Sequence, residues 1–103
     1  MLTGRVQHEL ELLKRHVIVL KKVMESGPIG IMKLSLETGM PDHLVRYSLH
    51  VLEQQGLIEP STLGAVATRS AKEAFVEFGN ELTQIGVMTE EIKRIGRTLC
   101  QKQ

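Results

Sequence analysis

The segment from residue 39 to residue 58, GMPDHLVRYSLHVLEQQGLI, constrains the fold more than any other part of the chain. Its apolar residues at the spacing of one helix face are Val45, Leu49 and Leu52. Pro41 suits the first position of a helix, and Gly56 suits the left-handed stop that ends one. We therefore predict a turn, an amphipathic helix over 41–55, a glycine stop and the start of a strand.

A first helix is predicted from Thr3 to Glu25. Its apolar residues alternate at spacings of four and three: Val6, Leu10, Leu13, Val17, Leu20 and Met24. That spacing is typical of a helix with one buried face. The sequence Ser26-Gly27-Pro28 is expected to end it, with Gly27 in the left-handed conformation and proline unable to continue.

A short second helix is predicted from Gly30 to Thr38. Its candidates for burial are Ile31, Leu34 and Leu36. Lys33 is expected to lie outside, and Gly39 is expected to end the helix in the left-handed conformation. These two helices and the helix over 41–55 make the N-terminal part of the chain mostly helical.

A small β-hairpin is predicted over 57–68. Two short strands, 57–60 and 65–68, flank a Ser-Thr-Leu-Gly turn in which Gly64 supplies a positive φ. Pro60 lacks a backbone N–H, so its strand is expected to be short or at an edge.

Beyond the hairpin, Ser70-Ala-Lys-Glu73 has the pattern of a capping box and predicts a fourth helix. A heptad seam follows, made of Phe75, Phe78, Leu82, Ile85, Thr89, Ile92, Gly96 and Leu99. A seam of this length favours packing against another helix, including one from a second chain. A break is expected near Gly86–Met88, because Thr89 followed by two glutamates could cap a fresh helix.

The 103 residues suit a single domain, 1–103, in three parts: a first helix (1–25), a middle segment (28–69) and a C-terminal helical segment (70–103). With 13 basic and 12 acidic residues the formal charge is only +1, whereas nucleic-acid-binding domains are often strongly basic. A single cysteine excludes an intrachain disulfide. The absence of a signal-like or membrane-spanning segment favours a cytoplasmic protein.

No catalytic motif is recognisable: the chain has no phosphate-binding loop, no nucleophile elbow and no supported Cys/His pair. His8, Glu11 and His16 lack the further ligands that would complete a metal site, and the histidines are expected to be polar surface groups. We expect neither enzyme activity nor a cofactor.

From Gly27 to Phe75 the chain resembles the winged helix-turn-helix domain of bacterial and archaeal transcription regulators. The resemblance rests on the Gly-Pro before the second helix, on Gly39-Met40 in the turn, and on Leu-Glu-x-x-Gly-Leu-Ile over 52–58 followed by a wing that ends at Ala67-Thr68. It implies a mostly α fold with a small β-hairpin wing, and a dimer that places the third helix in the major groove of double-stranded DNA. Unlike many wings, this one lacks Arg or Lys.

The resemblance implies that outward residues of the third helix read bases, and the flanking elements supply further contacts. The candidate DNA-contacting residues are Lys33, Asp42, His43, Arg46, Tyr47, His50, Ser61, Thr62 and Arg69. Arg46 could contact guanine, or pair with Asp42 one helical turn earlier. Tyr47 could contact DNA, or cover the edge of the core.

The first helix and the C-terminal helical segment are expected to hold a homodimer. The predicted interface residues are Leu10, Leu13, Val17, Phe75, Phe78, Leu82, Ile85, Ile92 and Leu99. The rival hypothesis is a winged-helix protein-interaction or scaffold module that does not bind DNA, which the near-zero charge and uncharged wing favour. No membrane partner is expected, and the sequence does not identify a small-molecule effector.

Overall fold

A computed structural model describes residues 1–101 of the chain; residues 102 and 103, the end of the predicted segment 70–103, lie outside the described part. The elements in chain order are α1 (Gly4–Ser26), α2 (Ile31–Thr38), α3 (Asp42–Gln54), β1 (Ile58–Ser61), β2 (Gly64–Ala67) and α4 (Ser70–Gln101). The described chain is mostly helical with one two-stranded antiparallel hairpin, which confirms the predicted class at that level and is compatible with a winged helix.

Backbone contacts divide the chain into two compact units, Met1–Ala71 and Lys72–Gln103. The first unit holds α1, α2, α3 and the hairpin, and the second unit is formed by α4 from Lys72 onward. No described helix combines the length and the apolarity needed to cross a membrane.

The core of the first unit lies against the C-terminal half of α1, where Val19, Leu20 and Val23 are buried. From the other elements of this unit, the buried apolar side chains are Ile29, Leu34, Val45, Leu52, Leu57, Ile58 and Ala71. The predicted stripe on α1 is wrong at its ends, since Val6, Leu10 and Met24 are exposed. The other elements of the unit cover α1 fully only at Val19, Leu20 and Val23.

On α2, the prediction of burial is right for Leu34 and wrong for Leu36, which is 82% exposed. Residues two apart on a helix point to nearly opposite sides, so a short helix that buries Leu34 must expose Leu36. Lys22 of α1 and Glu37 of α2 form an ion pair at 3.6 Å that links the two helices.

The glycine stops at Gly39 and Gly56 are confirmed, with φ of 72° and 73°. The left-handed cap predicted at Gly27 is wrong, because this residue is extended (φ −67°, ψ 150°). A residue that precedes proline is pushed toward extended backbone by the proline ring. Pro41 likewise lies just before α3 as its N-cap, so Asp42 is the first helical residue.

The hairpin pairs β1 with β2 from Ile58↔Ala67 to Ser61↔Gly64, one residue away from the predicted strand bounds. The segment before α2 adds a further bridge: Ile29 N–H donates to Ala65 O at 3.1 Å, and Ala65 N–H donates to Ile29 O at 2.8 Å. Gly64 has a φ of 125°, as predicted, and a Cβ built on it would lie 2.5 Å from the Ile29 carbonyl carbon. The turn therefore requires glycine for both conformation and space.

Helix α4 is continuous, so the predicted break near Gly86–Met88 is wrong. The Thr89 hydroxyl donates to Ile85 O at 2.8 Å within the same helix instead of capping a new one. A glycine in a helix interior costs only about 1 kcal/mol relative to alanine, which does not suffice to break a helix of this length. The predicted capping box is not formed either: Ser70 is already helical, and its hydroxyl makes no hydrogen bond to any described residue.

Candidate nucleic-acid interface

Helix α3 has one face in the core and the opposite face in solvent. Val45, Ser48 and Leu52 are buried at helical spacing, and they anchor the helix against the first unit. The predicted base-contacting residues of α3 are all exposed: Asp42, His43, Arg46, Tyr47 and His50. The helix period brings His43, Arg46, Tyr47 and His50 to one outward face.

Arg46 is exposed, and within residues 1–101 it forms no salt bridge. The alternative pairing with Asp42 is therefore not formed in this structure. A guanidinium presents five N–H donors in a planar fork, a shape that matches two acceptors on a guanine edge or two phosphate oxygens. Arg46 is thus placed to bind a ligand with acceptor pairs.

Tyr47 packs on the core edge and is also half exposed. Its ring centroid lies 5.6 Å from that of His16 on α1, with the ring planes tilted by 49°. The phenolic hydroxyl makes no hydrogen bond with a described residue. The ring therefore covers the core edge while part of the side chain remains accessible.

His16 and Ser48 join α1 to α3 through a hydrogen bond of 2.8 Å between Nδ1 and Oγ. Burial, with Arg15 nearby as a smaller cause, lowers the pKa of His16 below its ordinary value of 6.5. The expectation that the histidines are surface groups is thus wrong for His16. Ser48 gave a usable signal, because a serine at an apolar-face position of a helix needs a hydrogen-bond partner.

The hairpin turn exposes Ser61, Thr62 and Leu63 and carries no charge. The Ser61 hydroxyl is used within the turn: it donates to Gly64 O and accepts the Leu63 N–H at 3.3 Å. Leu63 is 78% exposed at the tip. The turn therefore offers Thr62 and an apolar tip, and the Ser61 hydroxyl mainly holds its shape.

Two more candidate cations, Lys33 on α2 and Arg69 after β2, are exposed. All nine predicted DNA-contacting residues belong to the unit Met1–Ala71, on α2, on α3 and along the hairpin. Within the described residues no three His, Cys, Asp or Glu side chains are grouped as a metal site would require.

The predicted dimer residues differ in burial. Leu13, Val17, Phe75 and Phe78 are half-buried, and the two phenylalanine rings meet edge-to-face with centroids 6.2 Å apart. The exposed members are Leu10, Leu82, Ile85, Ile92 and Leu99. The uncovered part of the predicted seam therefore lies mainly along the C-terminal part of α4.

A cleft of about 250 Å³ opens in the first unit beside the hairpin. It is lined by apolar groups such as Ile31 and Leu49, and among the described residues on its wall Glu53 alone carries a charge. No polar cluster converges in it, so its lining does not indicate a particular effector.

Neither a protein-family model nor a curated protein sequence matches this chain.

Proposed function

We propose that the protein is a sequence-specific regulator of transcription that binds double-stranded DNA as a dimer, with α3 in the major groove. The proposal combines the order of elements, which is compatible with a winged helix, with the exposed polar face of α3. An α-helix fits the major groove, where each base pair presents a distinct pattern of donors and acceptors.

The observation that carries the proposal is Arg46, an exposed guanidinium without an ion pair among the described residues, at the centre of the outward face of α3. His43 and His50 lie one turn to either side and can donate to phosphate or base acceptors. The buried side of α3 is held in the core by Val45 and Leu52. The outward side chains of Arg46, His43 and His50 therefore project from a helix whose position is fixed.

A symmetric dimer would contact two half-sites about 34–36 Å apart, so we expect an inverted repeat. After a preferred duplex has been selected from a random pool, Arg46→Ala is expected to weaken binding to it by roughly 5- to 150-fold, the equivalent of one good arginine–guanine contact. The affinity for unrelated duplexes should change much less. Fluorescence anisotropy with both duplexes measures the two effects.

Arg5→Ala is the matched control, because it removes the same exposed charge from α1 rather than α3. If Arg46→Ala changed affinity and sequence preference no more than Arg5→Ala does, the assignment of α3 to the groove would be wrong.

The second candidate is a protein-interaction module, and the surface of α2 favours it. Met32 and Leu36 lie one turn apart and are 83% and 82% exposed, which gives α2 an apolar outer side. The net charge of +1 and the uncharged hairpin turn also suit a protein partner. Under this hypothesis the chain does not bind DNA, so fluorescence anisotropy with a random-sequence duplex at low salt should show no binding by the folded protein.

A further inference from the structure

Helix α4 carries an apolar stripe that the described chain leaves open along its C-terminal part. The exposed fractions are 41% for Leu82, 42% for Ile85, 63% for Met88, 63% for Ile92, 72% for Ile95 and 66% for Leu99. The stripe recurs at the spacing of one helix face over several turns. A contiguous patch of this kind marks a surface that another apolar surface covers.

Gly96 interrupts the stripe at a position where the chain itself does not require glycine. A Cβ built there would meet nothing within 4 Å, although glycine costs a helix about 1 kcal/mol relative to alanine. A surface hollow lies at this point, lined by Ile95, Gly96, Thr98 and Leu99. The missing side chain therefore leaves room for a group from outside the chain.

We propose that the occupant is α4 of a second copy of this chain, packed antiparallel. The two-fold axis that relates the two copies crosses the helices at the level of Val87. This inference deepens the proposed function, on which it rests only for the dimeric state, and it names the partner and the orientation. A two-fold axis makes the interface self-complementary, so residue i of one copy meets residue j of the other and the reverse.

Side-chain size supports this register. Leu82 lies as far before Val87 as Ile92 lies after it, so the two meet across the axis. By the same symmetry Phe78 faces Gly96 of the second copy, and its ring fills the hollow described above. A parallel pair would instead place Phe78 against Phe78 and Gly96 against Gly96, which crowds one layer and empties another.

The charge distribution favours the same orientation. Glu77 and Glu81 lie in the first half of α4, whereas Lys93, Arg94 and Arg97 follow Glu90 and Glu91 near its end. Within the same helix, Lys93 Nζ lies 3.5 Å from Glu90 Oε1, and Arg97 forms no salt bridge with a described residue. The antiparallel register brings the level of Glu77 to that of Arg97 in the second copy, and Glu81 to that of Lys93. A parallel pair would place like charges at the same level, within about a Debye length of 10 Å of each other.

The test is cysteine cross-linking of the full chain under mild oxidation, in a Cys100→Ser background so that only the introduced thiols react. Leu82→Cys combined with Ile92→Cys is expected to form a covalent dimer in high yield. Leu82→Cys alone is expected to stay monomeric on a denaturing gel, because the two copies of residue 82 would lie roughly 15 Å apart along the direction of the helices. Met88→Cys alone should cross-link, since residue 88 adjoins the axis.

A covalent dimer from Leu82→Cys alone would show a parallel pair and overturn the proposal, as would a monomer at micromolar concentration in sedimentation equilibrium of the unmodified protein. These positions are exposed, so the cysteines should not unfold the chain. The cross-linking readout involves no DNA, so the two proposals can fail separately. Antiparallel cross-links in a protein that does not bind DNA would contradict the proposed function alone. DNA binding by a parallel dimer or by a monomer would contradict this inference alone.

A size exchange provides a second measurement. Gly96→Leu should raise the dimer dissociation constant at least about tenfold by blocking the hollow, and Phe78→Ala in the same chain should recover part of that loss. Asn80→Leu is the control for adding a leucine to α4 away from the stripe. No coupling between the changes at residues 78 and 96 would contradict the register.

Discussion

Ser48 lies at a position of α3 where the helix period favours an apolar residue, and its partner is His16 on α1. The pair places a hydrogen bond between α1 and α3, on the side of α3 opposite its outward face. From the sequence, Val45, Leu49 and Leu52 were assigned to the buried face, and the burial of Ser48 was not predicted. The sequence could not show which side chain lay opposite, because residues 16 and 48 meet only through tertiary packing.

Replacing Ser48 with alanine removes this hydrogen bond and leaves His16 Nδ1 without its partner. We expect the free energy of unfolding to fall by roughly 1 kcal/mol, the net value typical of one hydrogen bond. Urea unfolding of the variant measures it, and Ser26→Ala, at the exposed end of α1, is the control. An unchanged free energy of unfolding would mean that the His16–Ser48 bond contributes nothing.

The lowered pKa of His16 predicts how stability depends on pH. Because the folded-state pKa lies below the ordinary value of 6.5, the unfolded chain binds the proton more readily. The contribution of His16 is therefore fully present above 6.5 and is lost as the pH falls through the lowered pKa.

His16→Gln removes this titration and keeps a polar side chain, so its free energy of unfolding should fall less steeply below pH 6.5 than that of the unmodified protein. Urea unfolding at several pH values on both sides of 6.5 gives the comparison. Parallel loss of stability in the two proteins would show that His16 does not titrate differently on folding.

At the scale of the elements, the order of helices and strands followed from glycine, proline and apolar spacing alone. The predictions that were wrong for individual residues and helix ends have local causes. Gly27 precedes a proline and is extended rather than left-handed. Leu36 is exposed because α2 has only one covered side, and α4 continues through Gly86 because capping signals compete with an intact run of helical hydrogen bonds.

Gly64 is the position at which the hairpin depends most on a single residue. Alanine there would have to adopt a φ of 125° and would place its Cβ 2.5 Å from the Ile29 carbonyl carbon. We expect Gly64→Ala to lower the free energy of unfolding by about 1–3 kcal/mol, the cost of such backbone strain, or more if β2 must move away from Ile29.

Gly30→Ala is the control for this change, because a Cβ at residue 30 meets nothing within 4 Å and φ there is −89°. Thermal unfolding followed by circular dichroism compares the two variants. Equal melting temperatures would contradict the requirement for glycine at position 64.

At the scale of the whole molecule, the sequence placed the candidate DNA-contacting residues on exposed surface, since the outward face of α3 follows from the helix period once its buried face is known. It could not show the state of each side chain. The structure leaves Arg46 without an ion pair among the described residues, packs Tyr47 against His16 and uses the Ser61 hydroxyl inside the turn. Net charge and composition do not predict such side-chain contacts.

The near-neutral charge makes salt dependence the critical property of the proposed function. Neutralised phosphates release counterions, so binding through Lys33 and Arg69 should weaken as salt rises. With few cations on the interface, we expect a shallower slope of affinity against salt than strongly basic proteins show, roughly one unit of log–log slope for each cation that contacts phosphate.

The measurement that tests the central claim most directly is fluorescence anisotropy of a random-sequence duplex titrated with the full chain at low and at moderate salt. We predict saturable binding at low salt that weakens at moderate salt. No binding at low salt, with a protein shown by circular dichroism to be folded, would contradict DNA binding. That result would favour the hypothesis that the exposed faces of α2 and α3 bind a protein partner.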